Sequence, residues 1–312
     1  MKPMKQVKIC VCVACICALL FHIGSNMESI THMVRDQLTS RYVEPIRNEA
    51  PLITLFTSWR TFPDRYKVYN NTLRNWLTLQ PHVRLLLFSD EHIPNKYKQL
   101  GWTVIPLKHQ IKGHAVLKYM FLEAMELVQN SQLYGFSNGD LLFTRSLIDS
   151  LLAITTSPLL NNRTYMVVGR RMNTPNVTRE EASSWENIVK ASKRGQLMPA
   201  TYGIDYFFTT PKYNWQSVPD VQIGRYYYDN WVVYDARRRG YKVIDATGSL
   251  LAVHQNAPYP KDRVAGDNNI GFINNTKMLM KGVVPCCDFH TIYINRTAQL
   301  EKSKSIPMYC AL

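Results

Sequence analysis

An α/β domain, built on a mostly parallel sheet with helices on both faces, is the fold class the sequence predicts. Short apolar runs of strand length alternate with stretches of helical apolar spacing, and several of these runs are apolar throughout, as in strands covered on both sides. Polar residues that strands avoid stand at the ends of the runs, where open α/β sheets take their ligands. Leu52–Trp59 (LITLFTSW) is the first strand, and Asp64–Leu79 has helical spacing, opened by Pro63 and closed before Pro81. Val83–Asp90 is a second buried strand, Thr103–Leu107 a third, and Ala115–Val128 a helix. Tyr134–Thr144 (YGFSNGDLLFT) is the fourth strand, interrupted by Asn138, Gly139 and Asp140, which prefer turns and must end or kink it. The order strand, helix, strand, loop, strand, helix, strand argues for parallel pairing. Further strands are expected at Met166–Asn173, Gly203–Thr209, Lys242–Thr247 and Leu250–Asn256, with a polar helix around Arg179–Ser192 and another over Asp229–Arg239 that stops at Gly240. No Gly-, Ser- or Pro-rich linker divides this stretch, so one domain is expected over 51–275, followed by a loose tail, 276–312.

The chain has 312 residues, 46% hydrophobic and 19% charged, a globular composition with no repeat. Its formal charge of +14 favours anionic partners such as nucleotide phosphates. Nucleic acid is not an expected partner, because the basic residues are scattered and neither zinc-finger spacing nor an aromatic RNA-binding signature is present. Lys2, Lys5 and Lys8 precede the apolar run Ile9–Phe21 (ICVCVACICALLF). That run is short for a span of roughly 17–25 residues, yet no clean small-x-small cleavage site follows it. The expected plan is a cytosolic tail (1–8), a signal anchor (9–24) and a polar stem (25–50), with the body in the lumen of the Golgi or ER as a single-pass type II membrane protein, or secreted if the segment is cut. N-x-T tripeptides at Asn70, Asn162, Asn176, Asn274 and Asn295 agree with that destination. Of seven cysteines, Cys10, Cys12, Cys15 and Cys17 lie in the apolar run. Cys286, Cys287 and Cys310 remain for one disulfide, which leaves one thiol over.

A hard divalent cation takes carboxylate and carbonyl oxygens, and a nucleoside diphosphate needs its charge neutralised before it leaves. Asp140, at a strand end and beside a glycine that admits phosphate oxygens, suits that work. Asn138-Gly139-Asp140 resembles a variant of the Asp-x-Asp metal motif of GT-A glycosyltransferases, nucleotide-sugar enzymes on a Rossmann-like sheet. The segments VGRRMN (168–173), GIDYFF (203–208), GRYYYDNW (224–231) and VIDATGSLLAVHQN (243–256) are similar, in the same order, to those of a group of GT-A-like proteins. The resemblance covers about Leu52 to Asn256.

What the resemblance implies is a metal-dependent glycosyltransferase that moves a sugar from a nucleoside-diphosphate sugar to a glycan or protein hydroxyl. Asp140 and His254 would ligate Mn²⁺ or Mg²⁺, the imidazole favouring Mn²⁺. Asn138, through its amide oxygen or a water, and Gly139 would support the diphosphate. Asp90, ending the second strand, would hold the nucleoside, with Thr57 and Arg60 flanking the same pocket. Asp229 would be the general base that deprotonates the acceptor if the reaction inverts. Asp205 is the second candidate, or a ligand of acceptor hydroxyls. Asn138 stands where the Asp-x-Asp motif has its first acid, as it does in the similar group, and Ala257-Pro258 departs from that group by replacing a histidine and an acid.

Plainer roles exist for the same residues. Asn-Gly is a strong hairpin signal, Asp229 suits a helix cap, and a histidine at a strand end is commonly a hydrogen-bonded, half-buried one. The rival function from another class is a GT-A-like lumenal carbohydrate-binding or scaffold protein without turnover. A glycosidase fits less well, since Asp205 and Asp229 lie in no pattern that fixes a two-acid geometry.

Overall fold

The apolar runs fold as strands and the periodic stretches between them as helices, in a computed structural model that describes residues 50–59, 65–256 and 276–312. In chain order the elements are β1 (Ile53–Ser58), α1 (Tyr66–Leu77), β2 (Val83–Phe88), α2 (Asn95–Gln99), β3 (Trp102–Ile105), β4 (Gln110–Ile111), β5 (His114–Ala115), α3 (Leu117–Leu127), β6 (Leu133–Ser137), β7 (Leu141–Phe143), α4 (Ser146–Thr155), β8 (Tyr165–Val168), β9 (Met172–Thr174), α5 (Trp185–Ser192), β10 (Gln196–Leu197), β11 (Tyr206–Thr209), α6 (Tyr228–Arg238), β12 (Lys242–Asp245), β13 (Ala252–Gln255), α7 (Thr276–Leu279), β14 (Phe289–Ile294) and β15 (Thr297–Lys302). Among the described residues a nine-stranded sheet has the order β15-β14-β12-β8-β11-β6-β1-β2-β3. Five of its eight pairings are parallel; β11 opposes both its neighbours and β15 opposes β14. The chain steps outward from β1 to β2 and β3, then returns to lay β6 on the other side of β1. That reversal opens a crevice beyond the carboxyl ends of β1 and β6, the usual ligand position of such sheets.

Strand alternation feeds two cores. Ile53, Leu55, Leu85 and Leu87 pack with Leu73 and Trp76 of α1 and Leu147 and Leu151 of α4, whereas Phe56, Leu86 and Phe88 pack with Phe121 of α3 and Trp231 and Val232 of α6. Helices therefore cover both faces, and strand residues pointing either way are mostly apolar. The signal anchor and stem expected before residue 50 lie outside the described residues. No helix among the described residues is long and apolar enough to cross a membrane.

The structure departs from the sequence reading in four places. Tyr134–Thr144 is two strands in different sheets: β6 belongs to the large sheet, and β7 to a second one of order β10-β9-β13-β7. Met166–Asn173 divides in the same way into β8 and β9. The expected polar helix starts only at α5, where Ser184 accepts a hydrogen bond from the Asn187 amide and caps it. Finally, residues past 275 are no loose tail: β14 pairs in parallel with β12, β15 completes a hairpin, and Phe289 enters the core.

A disulfide joins Cys286 to Cys310, and Cys287 is the buried free thiol. The bridge spans a sequence separation of 24. On chain-entropy grounds its loss should cost about 3 kcal/mol. The urea midpoint of a Cys286→Ser variant should fall accordingly; an unchanged midpoint would show that the hairpin holds the tail without it.

Candidate functional site

Three ligand-type side chains from distant parts of the chain meet at the switch point, and pairing register brings them there. Asp140 lies in the turn between β6 and β7, directly before β7. Because β11 runs against β6 with Tyr206 opposite Ser137, Asp205 comes level with Asn138, whose amide donates to the Asp205 carbonyl at 2.9 Å. Because β13 runs against β7 with His254 opposite Leu141, the imidazole arrives beside Asp140. One ligand atom from each of Asp140, Asp205 and His254 lies within 4.8 Å of the others, and His254 Nε2 is 3.3 Å from Asp140 Oδ2. All three residues are buried, at 5%, 5% and 2% exposure.

Helix α1 clamps the loop that carries Asp140. Asn75 Nδ2 donates to the Phe143 carbonyl at 2.8 Å while its Oδ1 accepts from the Phe143 amide at 2.7 Å, and Trp76 Nε1 donates to the Leu141 carbonyl at 3.0 Å. Gln255, buried, accepts from Asn71 Nδ2 at 2.9 Å and donates to Thr72 Oγ1 at 3.1 Å, tying β13 to the same helix. These polar groups inside an amphipathic helix are satisfied by strand-end backbone, which makes them positioning residues for Asp140. Gly139 sits close to the end of β1: a Cβ there would stand 3.2 Å from Thr57 Oγ1, a tight contact, and 3.5 Å from the Ser58 carbonyl.

Two guanidinium groups balance the acids. Arg65 donates to Asp140 Oδ2 at 2.9 Å, and Arg171 pairs with Asp205. Arg171 also donates through Nε to Asn173 Oδ1 at 2.9 Å. Burial pushes the Asp140 carboxyl up, but the charge and hydrogen bond of His254, followed by Arg65 and Arg171, outweigh it and hold the group well below the usual carboxylate range. Burial pulls the His254 imidazole down, and Asp140 outweighs that and leaves it raised. His254 Nδ1 lies 3.1 Å from Asn256 Oδ1. With that oxygen accepting, Nδ1 holds a proton and Nε2 is turned toward Asp140, the orientation a metal-ligating histidine needs.

The residues present fit a small divalent cation. Among the described residues Asp140 Oδ1 is buried without a hydrogen bond, a costly state for a carboxylate oxygen and one a cation would relieve. Two carboxylates and an imidazole form a hard-to-borderline donor set suited to Mn²⁺. Ligands on opposite sides of one ion stand about 4.2 Å apart at the distances Mg²⁺ demands. Ligands at right angles stand about 3.0 Å apart, so Asp140, Asp205 and His254, whose ligand atoms now lie within 4.8 Å of one another, would draw in around an ion.

Other sequence-predicted site residues lie around this cluster. Asn138 spends its side-chain oxygen on the Tyr228 hydroxyl, which donates at 3.0 Å and joins the loop to α6. Thr57 is 2% exposed at the end of β1, against Gly139. Asp90 follows β2, but its two oxygens accept from the Leu107 amide at 2.9 Å and Gln110 Nε2 at 2.8 Å, so it ties the loop after β3. Arg60 lies outside the described residues. Asp229 occupies the first turn of α6, but the helix cap is Tyr227, in left-handed backbone at φ 66°, and not Asp229. Burial foremost, and the Asp205 charge, push Asp229 up to about 6, against amide hydrogen bonds from Asn230 and its own N–H and the charge of Arg171. Arg65, Arg171, Tyr228, Asn256 and the α1 clamp were not singled out by sequence reasoning; the one available signal was the polar Asn71 and Asn75 on an otherwise apolar helix face.

No family model matches this chain, and no curated protein matches it. Among solved structures it is similar to the mannosyltransferase PcManGT from Pyrobaculum calidifontis in complex with GDP-Man and Mn²⁺, at a TM-score of 0.39 and 10% identity over 80% of this chain and 69% of that one. It is similar to the inositol-1-phosphate CTP transferase from T. maritima at a TM-score of 0.36 and 14% identity, over 75% and 96% of the two chains. Glucosyl-3-phosphoglycerate synthase from Mycobacterium tuberculosis, in complex with Mn²⁺, UDP and glucosyl-3-phosphoglycerate, gives a TM-score of 0.32 and 11% identity over 82% and 89%.

Proposed function

We propose that this chain is a metal-dependent glycosyltransferase of the GT-A type, taking a sugar from a nucleoside-diphosphate donor and passing it to a hydroxyl of a glycan or glycoprotein. The observation that carries the reading is the buried meeting of Asp140, Asp205 and His254 at the crevice between β1 and β6, with Asp140 Oδ1 lacking a hydrogen bond. Charge explains why the ligand is an anion. Asp140 and Asp205 are offset by Arg65 and Arg171, so a divalent cation would leave a net positive site even with Asp229 ionised, suited to a diphosphate. When bound, Mn²⁺ or Mg²⁺ supplies Lewis-acid stabilisation of the departing diphosphate.

The chain's own residues do the rest. Asp140, Asp205 and His254 would hold the cation, with Asn256 orienting the imidazole. Gly139 lets backbone approach the diphosphate, and Arg65 and Arg171 stand within reach of the same charges. Thr57 flanks the pocket where the nucleoside is proposed to sit, and Asp90 keeps its rim in place. Asp229, pushed up to about 6, is ionised near neutrality yet basic enough to take the acceptor hydroxyl's proton. The proposed location is the lumen of the Golgi or ER, with the apolar Ile9–Phe21 as membrane anchor.

The test is a panel of nucleoside diphosphates and their sugars, with and without Mn²⁺, read by thermal shift and donor hydrolysis. A ligand at 100 times its Kd stabilises the native state by about 2.7 kcal/mol. For a domain of this size that is a rise in Tm of about 5–10 °C. The rise should need nucleotide and Mn²⁺ together, and no response to any nucleotide would overturn the reading. One observation favours the rival, a binding protein without turnover: both acids are already paired with arginine, so the cluster is charge-balanced by itself. Nucleotide-dependent stabilisation with no donor turnover would select that rival.

A further inference from the structure

The five N-x-T tripeptides are not equivalent in the fold. Asn162, Asn176 and Asn295 are exposed, and each is in left-handed backbone, at φ 58°, 51° and 48°. Asn70 lies inside α1, its Oδ1 accepting from the Tyr97 hydroxyl at 3.0 Å, and Thr72 is buried at 2% exposure with its hydroxyl accepting from Gln255. Asn274 lies outside the described residues.

We propose that the chain is N-glycosylated at Asn162, Asn176 and Asn295, and that the folded protein carries no glycan at Asn70. The co-reactant is an oligosaccharide linked through a diphosphate to a lipid, as the secretory lumen supplies. The bond from its anomeric carbon to the diphosphate oxygen breaks, that carbon bonds to asparagine Nδ2, and one amide proton leaves with the lipid diphosphate as the other product.

A turn asparagine needs no glycan to explain it, since Asn tolerates φ above zero better than most residues. The threonines two positions on are what the turn does not require. No hydrogen bond from the Thr164 or Thr297 hydroxyl is found among the described residues, whereas Thr178 Oγ1 accepts from the Glu181 amide at 3.1 Å and has a local structural use. Asn295 and Arg296 form the two-residue tip of the β14–β15 hairpin, where Ile294 is opposite Thr297. A glycan there projects past the last strands, about 19 Å across four strand spacings from β6. Asn162 precedes the amino end of β8, which runs parallel to β6, so it stands at the end of the sheet opposite the candidate site. The Asn162 glycan therefore stands clear of the crevice, whereas Asn295, past the carboxyl end of β14, is at the crevice's end of the sheet and is set aside from it by the strands between. At Asn70 a glycan would displace Tyr97 and drive the first turns of α1 away from β13, so that position is closed once the domain folds.

The experiment is expression of the full chain in secretory-competent eukaryotic cells, followed by amidase release of N-glycans in H₂¹⁸O and peptide mass spectrometry. The expected result is ¹⁸O-labelled aspartate at 162, 176 and 295 in the folded fraction and none at 70. Asn→Gln variants, and Thr164→Ala, Thr178→Ala and Thr297→Ala variants that keep the turn asparagine, should each remove one glycan from the electrophoretic ladder. Absence of label at the three positions overturns the proposal, as does label at Asn70 in folded protein.

Discussion

Asp140→Asn is expected to lower Mn²⁺-dependent donor turnover by roughly 10³-fold, as kcat/KM. The substitution keeps size and removes one charge from a buried cluster. With Asp205 alone facing Arg65 and Arg171, the site would be near +1 before any cation arrives, and would repel one. A cation's stabilisation of a leaving diphosphate is worth several kcal/mol, and about 4 kcal/mol corresponds to three decades of rate. Removing the charge that faces Arg65 also costs stability, so assays are compared below each variant's own unfolding temperature. A loss of less than tenfold in folded Asp140→Asn, with Mn²⁺ dependence retained, would remove this carboxylate from the mechanism.

Asp229→Asn should reduce turnover by about 10²–10⁴, the usual worth of a general base, while nucleotide affinity stays within a few-fold. Its effect on stability distinguishes base from helix charge. The Asp229 carboxyl is raised in the folded state, so the fold prefers it protonated; at neutral pH the ionised form opposes folding, and a permanently neutral Asn relieves that. The variant should therefore have a higher Tm at pH 7 and no gain well below pH 4, where folded and unfolded chains alike carry the proton. Were the residue only a favourable charge in the first turn of α6, Tm would fall. In the native protein, the proposed turnover should decline as pH drops through about 6 or lower, because a cation at neighbouring Asp205 can only pull the carboxyl down. A flat profile to pH 4.5 would exclude Asp229 as the base.

The fold was legible where burial on both faces imposed continuous apolar runs: β1, β2, β11 and β12 lie within the strands read from sequence, and α6 ends at Arg238, just before Gly240. Helix α4 was missed although Leu147, Ile148, Leu151 and Ile154 keep helical spacing, because the fourth strand was carried through to Thr144 and no element was read between it and Met166. The β14–β15 hairpin was missed because its turn holds Asn295-Arg296 and no glycine, and its outer face is exposed. The interruption itself was the best clue to the site. Asn138, Gly139 and Asp140 are where the chain leaves one sheet for another, and packing needs only the glycine. The arginine partners were not legible, since Arg65 and Arg171 meet their acids across 75 and 34 residues and no local period marks such a pairing.

Pulsed electron paramagnetic resonance of Mn²⁺ bound with a nucleoside diphosphate tests the central claim most directly. One ion should show ¹⁴N modulation from a single imidazole and ³¹P coupling from the diphosphate, and the nitrogen signal should vanish in His254→Gln while the phosphorus coupling persists. Mn²⁺ that couples to phosphorus but to no nitrogen in the native protein, or whose nitrogen signal survives His254→Gln, would contradict a shared ion at Asp140, Asp205 and His254.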